Sequence, residues 1–350
     1  MKKYVIFILL ILSIGLQAKL RLNGRFYQNL LLSEKLEQYT YSDFNILYLK
    51  LKQKSYNYTF DAMTSIHYYL YPNPVNSNDT VSQISYNLDR MYLSFWGQSF
   101  KIKLGYFMPK WGKNYFFRPT DLFKSEQLFN TAIEQNGIKG FEFKYFFTDF
   151  LSSELLLVPQ SNPVSSTIYF KNNLHIGTFD ISGFYNYYAE QPFSQFGLNF
   201  KGDLGVSLFG EGLYTLTQTN DYKFSLGVDY SFAGKVMFIL EYYYHDLGLQ
   251  DSDSLSYQMQ LLSPNFSSFF AQQYLFFNTF YFSDKQIGIN SIINLVDYSS
   301  IQSLYYTQEI FNACALYLGI YFPFSKNKDQ EFNYSLIGDI LFNGYINIKF

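Results

Sequence analysis

The chain ends in DILFNGYINIKF, Asp339 to Phe350, and its side chains alternate with a period of two. Ile340, Phe342, Gly344, Ile346, Ile348 and Phe350 fall on one face, with Asp339, Asn343, Asn347 and Lys349 on the other. Successive residues of a strand point to opposite sides, so this is a strand with one greasy face and one polar face. A helix built from the same residues would mix the two sets.

An alternating strand that closes the chain on an aromatic residue resembles the C-terminal assembly signal of bacterial outer-membrane barrels. On that resemblance Gly344, Ile346, Ile348 and Phe350 are the residues offered to a barrel-assembly machinery. The start of the chain agrees. Met1-Lys2-Lys3, the apolar run Tyr4 to Leu16 and then Gln17-Ala18 read as a signal peptide over residues 1–18. The run is shorter than the roughly 20 apolar residues of a membrane helix. The barrel is expected over residues 19–350. It starts so soon after Ala18 that a folded N-terminal plug has no room.

Alternation also dominates the interior. In Tyr222 to Phe232 the apolar set is Tyr222, Phe224, Leu226, Val228, Tyr230 and Phe232, against Lys223, Ser225, Gly227, Asp229 and Ser231. Segments of this kind number about eighteen, or about sixteen if short ones merge, and lengths near ten residues suit tilted membrane spans. Tight links are expected at Gly97-Gln98-Ser99, Thr148-Asp149, Gly202-Asp203, Ala233-Gly234-Lys235 and Ser283-Asp284-Lys285. Longer ones are expected at Ser33 to Asp43, Pro72 to Gln83, Pro109 to Asn136, Pro159 to Ser165 and His245 to Gln272. Alternating short and long connections are the habit of membrane barrels. The fold class is therefore all-β, a transmembrane antiparallel β-barrel.

Composition supports this reading. Only 15% of the 350 residues are charged and 22% are aromatic, a bias toward strands and membrane interfaces. Cys314 is the one cysteine, so no internal disulfide forms; it alternates with Leu316, Leu318 and Ile320 and is expected to face lipid. Loss of Lys2 and Lys3 with the leader leaves 24 of the 26 basic residues against 28 acidic ones, a balance that excludes nucleic-acid binding by bulk charge.

With the apolar face toward lipid, the polar set of a barrel this wide encloses water. Arg21, Arg25, Lys50, Lys52, Arg90, Lys101 and Lys103 are then expected to line the pore on one basic wall, with Asp61 as the nearby acid. Elsewhere the expected pairs are Lys144 with Glu142, Lys201 with Asp203 and Lys223 with Asp229. A wall of Lys and Arg favours anions by concentrating counter-charge.

The segment Asn87 to Phe123, NLDRMYLSFWGQSFKIKLGYFMPKWGKNYFFRPTDLF, carries Arg90 and Tyr92, then Leu104-Gly105-Tyr106, Trp111-Gly112 and Pro119-Thr120-Asp121-Leu122-Phe123. It resembles the corresponding hairpin of porins and alginate-export-like barrels, although those relatives carry Gly-Arg-Gln where this chain has Gly105-Tyr106-Phe107. The resemblance implies an uptake or export pore in the outer membrane of a Gram-negative-type bacterium. If the loop folds inward, Lys110, Trp111, Lys113, Arg118 and Asp121 form a constriction, with Trp111, Tyr115 and Phe116 as a surface for stacking sugars.

Little else points to chemistry. Histidines are confined to His67, His175 and His245. His67, placed near Ser65 and Asp61, is the best hydrolytic candidate, while His245 and Asp246 point to opposite faces. Asp251-Ser252-Asp253 lacks the Gly and terminal Glu of a calcium loop. The expectation is a non-enzymatic porin with no metal and no cofactor, passing small polar or anionic solutes, acidic sugars among them. Outer-membrane lipids are its surroundings and homo-oligomer formation is left open. The rivals are a non-conducting adhesin or structural barrel and an outer-membrane hydrolase.

Overall fold

In a computed structural model, residues 20–35, 38–72, 80–123, 137–159, 166–188, 193–217, 219–251, 269–326, 330–332 and 340–350 are described. The expected signal peptide lies outside them. The strands are β1 (Leu20–Lys35), β2 (Gln38–Lys54), β3 (Tyr58–Pro72), β4 (Thr80–Trp96), β5 (Phe100–Phe107), β6 (Ile138–Phe146), β7 (Leu151–Val158), β8 (Thr167–Ile176) and β9 (Phe179–Tyr188). They continue as β10 (Phe193–Asp203), β11 (Ser207–Leu216), β12 (Asp221–Phe232), β13 (Val236–His245), β14 (Gln273–Phe282), β15 (Lys285–Asn294), β16 (Ser300–Phe311), β17 (Cys314–Phe324) and β18 (Ile340–Lys349).

Each strand pairs antiparallel with the next, and β1 pairs with β18, closing an 18-stranded cylinder. Closure satisfies every backbone donor and acceptor along the edges, the condition for crossing a bilayer that offers no water. At the seam Gly24 N–H donates to Phe350 O at 2.7 Å and Phe350 N–H donates to Gly24 O at 3.0 Å.

The two faces separate as the period of two requires. Leu22, Ile84, Leu104, Leu198, Leu226, Ile289 and Ile348 are exposed on the outside, whereas Asp61, Ser65, Glu142, Asn199, Glu211, Ser225 and Glu241 are buried within. Cys314 lies opposite Ile348 on the outer face.

At one rim every link is two to four residues long, as in 97–99, 233–235 and 283–284. The turn at Ala233 (φ 51°) and Gly234 (φ 64°) has left-handed backbone at both central positions, which matches the twist of the flanking strands. Short turns mark the periplasmic rim. The long connections emerge at the other rim, with one correction. Residues 33–43 do not form a long loop, because pairing between β1 and β2 continues through Ser33 opposite Thr40 to Lys35 opposite Gln38. Backbone pairing continues past the segment of clear apolar alternation, which the apolar pattern alone underestimates.

Candidate functional site: the barrel lumen

Cross-strand partners point to the same face. The register therefore places Arg21 beside Lys52, and Lys52 beside Asp61. It also places Asn23 beside Lys50 and Lys101 beside Lys144. Arg25 is exposed beside Tyr48. Two buried carboxylates hold this wall together. Asp61 lies 3.3 Å from Lys50 Nζ and 3.2 Å from Arg90 Nε, and Glu142 lies 2.7 Å from Lys103 Nζ and 3.6 Å from Lys101 Nζ. Asp61 on β3 bridges cations from β2 and β4, and Glu142 on β6 bridges two cations of β5.

The expected pairs Lys144–Glu142, Lys201–Asp203 and Lys223–Asp229 are not formed. Glu142 goes to Lys101 and Lys103, Lys201 pairs with Asp229 at 3.6 Å, and Lys223 with Asp221 at 3.6 Å. Glu142 is met across the β5–β6 ladder, Asp229 is reached from two strands away, and Asp221 is the same-face neighbour two residues back on β12.

Residues 108–123 leave the top of β5 and fold inward onto the wall of β10–β13. Glu241 Oε1 accepts the backbone N–H groups of Tyr115 at 2.8 Å and Phe116 at 2.9 Å, and its Oε2 accepts that of Phe117 at 2.9 Å. Glu211 accepts Lys113 N–H, Asn114 N–H at 2.8 Å, and both Thr120 N–H at 3.1 Å and Thr120 O–H at 2.7 Å. Asn199 donates to Trp111 O at 3.0 Å, and Ser225 donates to Phe117 O at 2.9 Å. Charge-assisted bonds of this kind are stronger than neutral ones.

The residues expected to constrict the channel mostly hold the loop in place. Arg118 donates to the loop carbonyls of Asn114 and Tyr115 at 2.6 and 2.9 Å, and Asp121 is buried 3.5 Å from Trp111 N. Lys113 Nζ reaches Asp180 O at 2.8 Å, and Lys110 is exposed. The ring of Trp111 is buried, and half-buried Phe116 has one face covered. Trp111 is buried among Phe123, Tyr169 and Phe184, and Phe116 stacks on Phe276 at 4.3 Å. Aromatic area at the root of an infolded loop gains more from packing than from standing in water.

Two further segments turn inward beside the loop, 269–272 and 330–332. Phe269, Tyr274 and Phe332 join Phe117, Phe209 and Tyr243 in one buried cluster, which fills the lumen on that side with side chains. Glu331 stands at its centre, accepting Tyr274 O–H at 2.6 Å, Asn294 Nδ2 at 2.8 Å and Phe270 N–H at 3.1 Å. Its carboxyl is raised to about 8, by burial first and by the nearby charge of Asp297.

Among the described residues the histidines are not arranged as a hydrolytic triad. Ser65 Oγ is 2.7 Å from His67 Nε2 and donates to Asp89 at 2.9 Å. A hydroxyl has one proton, so this serine gives it to the carboxylate rather than to the imidazole. His67 Nδ1 meets Tyr69 O–H at 3.0 Å where a triad would place a carboxylate, and both Ser65 and His67 are buried. Asp61, expected beside His67, is held by Lys50 and Arg90 instead. His245 pairs with Asp221 of the adjacent strand at 3.2 Å. Ser252 and Asp253 lie outside the described residues.

A closed 18-stranded cylinder, apolar outside and polar within, defines the chain as a transmembrane β-barrel of the outer-membrane class. No family model and no curated protein matches the sequence. Solved structures do. The chain is similar to OccK7 (OpdD) of Pseudomonas aeruginosa, at 11% identity and a TM-score of 0.60, over 95% of this chain and 99% of that one. It is similar to OccK5 (OpdH) of the same organism at 9% identity and a TM-score of 0.62, over 95% and 97%. It is also similar to the outer membrane protein OprD of Pseudomonas aeruginosa at 11% identity and a TM-score of 0.60, over 95% of each chain. At these identities the likeness is one of fold.

Proposed function

We propose that the barrel is a passive, water-filled porin for small polar solutes with a preference for anions. The observation that carries this reading is the charge on one wall. Arg21, Arg25, Lys50, Lys52, Arg90, Lys101 and Lys103 share the inner face with Asp61, Asp89 and Glu142. The opposite wall is occupied by the infolded loop and its aromatic cluster. A solute crossing the lumen therefore passes along the cationic side, where excess positive potential in a narrow, poorly screened passage raises local anion concentration. No chemical step is involved.

The test is reconstitution of the chain in planar bilayers under a potassium chloride gradient. Stable single-channel steps with an anion-selective reversal potential are expected. A non-conducting barrel, or cation selectivity left unchanged by Lys50→Glu and Lys101→Glu, overturns the reading.

A further inference from the structure

Beneath the infolded loop, toward the periplasmic turn 147–150, lies a cavity of about 390 Å³. The loop contributes Lys110, Trp111 and Lys113, and the barrel wall contributes Lys144, Lys171 and His175. Four lysines line it against two carboxylates, Asp149 and Asp180. Asp180 is already engaged, with its side chain 2.8 Å from His175 Nδ1.

Lys171 decides what the cavity is for. It is 6% exposed, yet no hydrogen bond or ion pair to its ammonium is formed among the described residues. It lies over the face of Trp111, 5.3 Å from Nζ to the ring centroid. Glu154 sits directly opposite Lys171 on β7, but its Oε1 accepts the indole N–H of Trp111 at 3.3 Å. Lys144, opposite Glu154 on β6, lies over the ring of Phe146. The stem of Lys171 is buried while its ammonium faces the cavity, and Lys113 and Lys144 line the same space, so an anion placed there relieves the repulsion among like charges.

We propose that this cavity binds a small oxyanion carrying two negative charges, of the inorganic phosphate or short dicarboxylate kind, held by Lys171, Lys144 and Lys113. The site deepens the pore reading and rests on it for a hydrated lumen. Occupancy bridges loop and wall, since Lys113 belongs to the first and Lys144 and Lys171 to the second. Four lysines stand against Asp149, Asp180 and the neighbouring Glu154, a positive surplus that an anion offsets.

Trp96 and Trp111 are the two tryptophans of the chain, so Trp96→Phe leaves Trp111 as a reporter inside the cavity wall. The refolded protein in detergent is titrated with sodium phosphate and, separately, with succinate, at constant ionic strength in chloride. A saturable change in Trp111 emission with either anion is expected, and the anion that produces it identifies the class. Affinity falls about tenfold or more in Lys171→Met and in Lys144→Met, as loss of a charged hydrogen-bond donor requires, and is unchanged in Lys235→Met, on an exposed turn. Emission unmoved by both anions, or the parent titration in a folded Lys171→Met, overturns the site. Should Lys171→Met not fold, the parent affinity in Lys144→Met overturns it equally. The readout needs no conduction, so a barrel that binds phosphate but passes no current loses the pore and keeps the site.

Discussion

Glu241 Oε2 lies 2.9 Å from the backbone nitrogen of Phe117, so a carboxylate on β13 holds a loop that is rooted between β5 and β6. Replacing it by glutamine leaves one oxygen to accept and turns an amide N–H₂ toward the remaining N–H groups. Each charged hydrogen bond is worth about 1.5–3 kcal/mol. Glu241→Gln is expected to free the loop and to speed trypsin cleavage after Lys113 by about tenfold or more. Mass spectrometry of timed digests measures this, with far-ultraviolet circular dichroism as the check that the barrel persists. Parent-like cleavage counts against the pinning role.

Asp61 and Glu142 each neutralise part of the cationic wall. Asp61→Asn with Glu142→Gln is expected to increase anion selectivity, and Lys101→Gln with Lys103→Gln to decrease it. An electrostatic change of about 1 kcal/mol in the passage corresponds to roughly a fivefold change in permeability ratio. Reversal potentials across a chloride gradient give both signs in one experiment.

The raised Glu331 carboxyl makes docking of Gln330–Phe332 depend on pH. Below about 4.5, docked and released segments both carry the proton and docking is at full strength. Between there and about 8 the released carboxyl ionises while the docked one keeps its proton, so docking weakens as pH rises. Hydrogen exchange at the amides of Phe270 and Phe332, corrected for intrinsic rate, is expected to speed up across that window by at most about tenfold per pH unit. Glu331→Gln abolishes the dependence.

At the seam, a Cβ placed on Gly24 falls 2.1 Å from Cε2 of Phe350. Gly24→Val must push that ring outward toward lipid, an overpacking cost of about 1–3 kcal/mol. Slower closure is expected, seen as delayed appearance of the heat-modifiable form on gels. Folding at the parent rate removes the ring-on-glycine contact from any part in closure.

The barrel itself was legible because a bilayer on one face and water on the other impose a strict period of two, and all eighteen alternating segments became strands. The inner wall was half legible. Parity alone puts Lys50, Lys101 and Lys103 on one face, but pairing is a matter of register, and Glu142 finds Lys103 across a strand boundary that the sequence does not display. Glu211 and Glu241 gave no signal that separates them from ordinary lumen acids; their partners are backbone N–H groups nearly one hundred residues or more away in the chain. Lys171 was missed for the same reason, since its distinction is the lack of an acceptor.

Seventeen of the eighteen neighbour pairs join strands consecutive in the chain, so hairpins can accrete one after another as the polypeptide is threaded through the envelope. The pairing of Gly24 with Phe350 is of another kind, joining partners almost a full sequence apart. Without that pairing, β1 and β18 would each present an unsatisfied strand edge. Closure of the cylinder is then one long-range pairing, like the latching of a clasp.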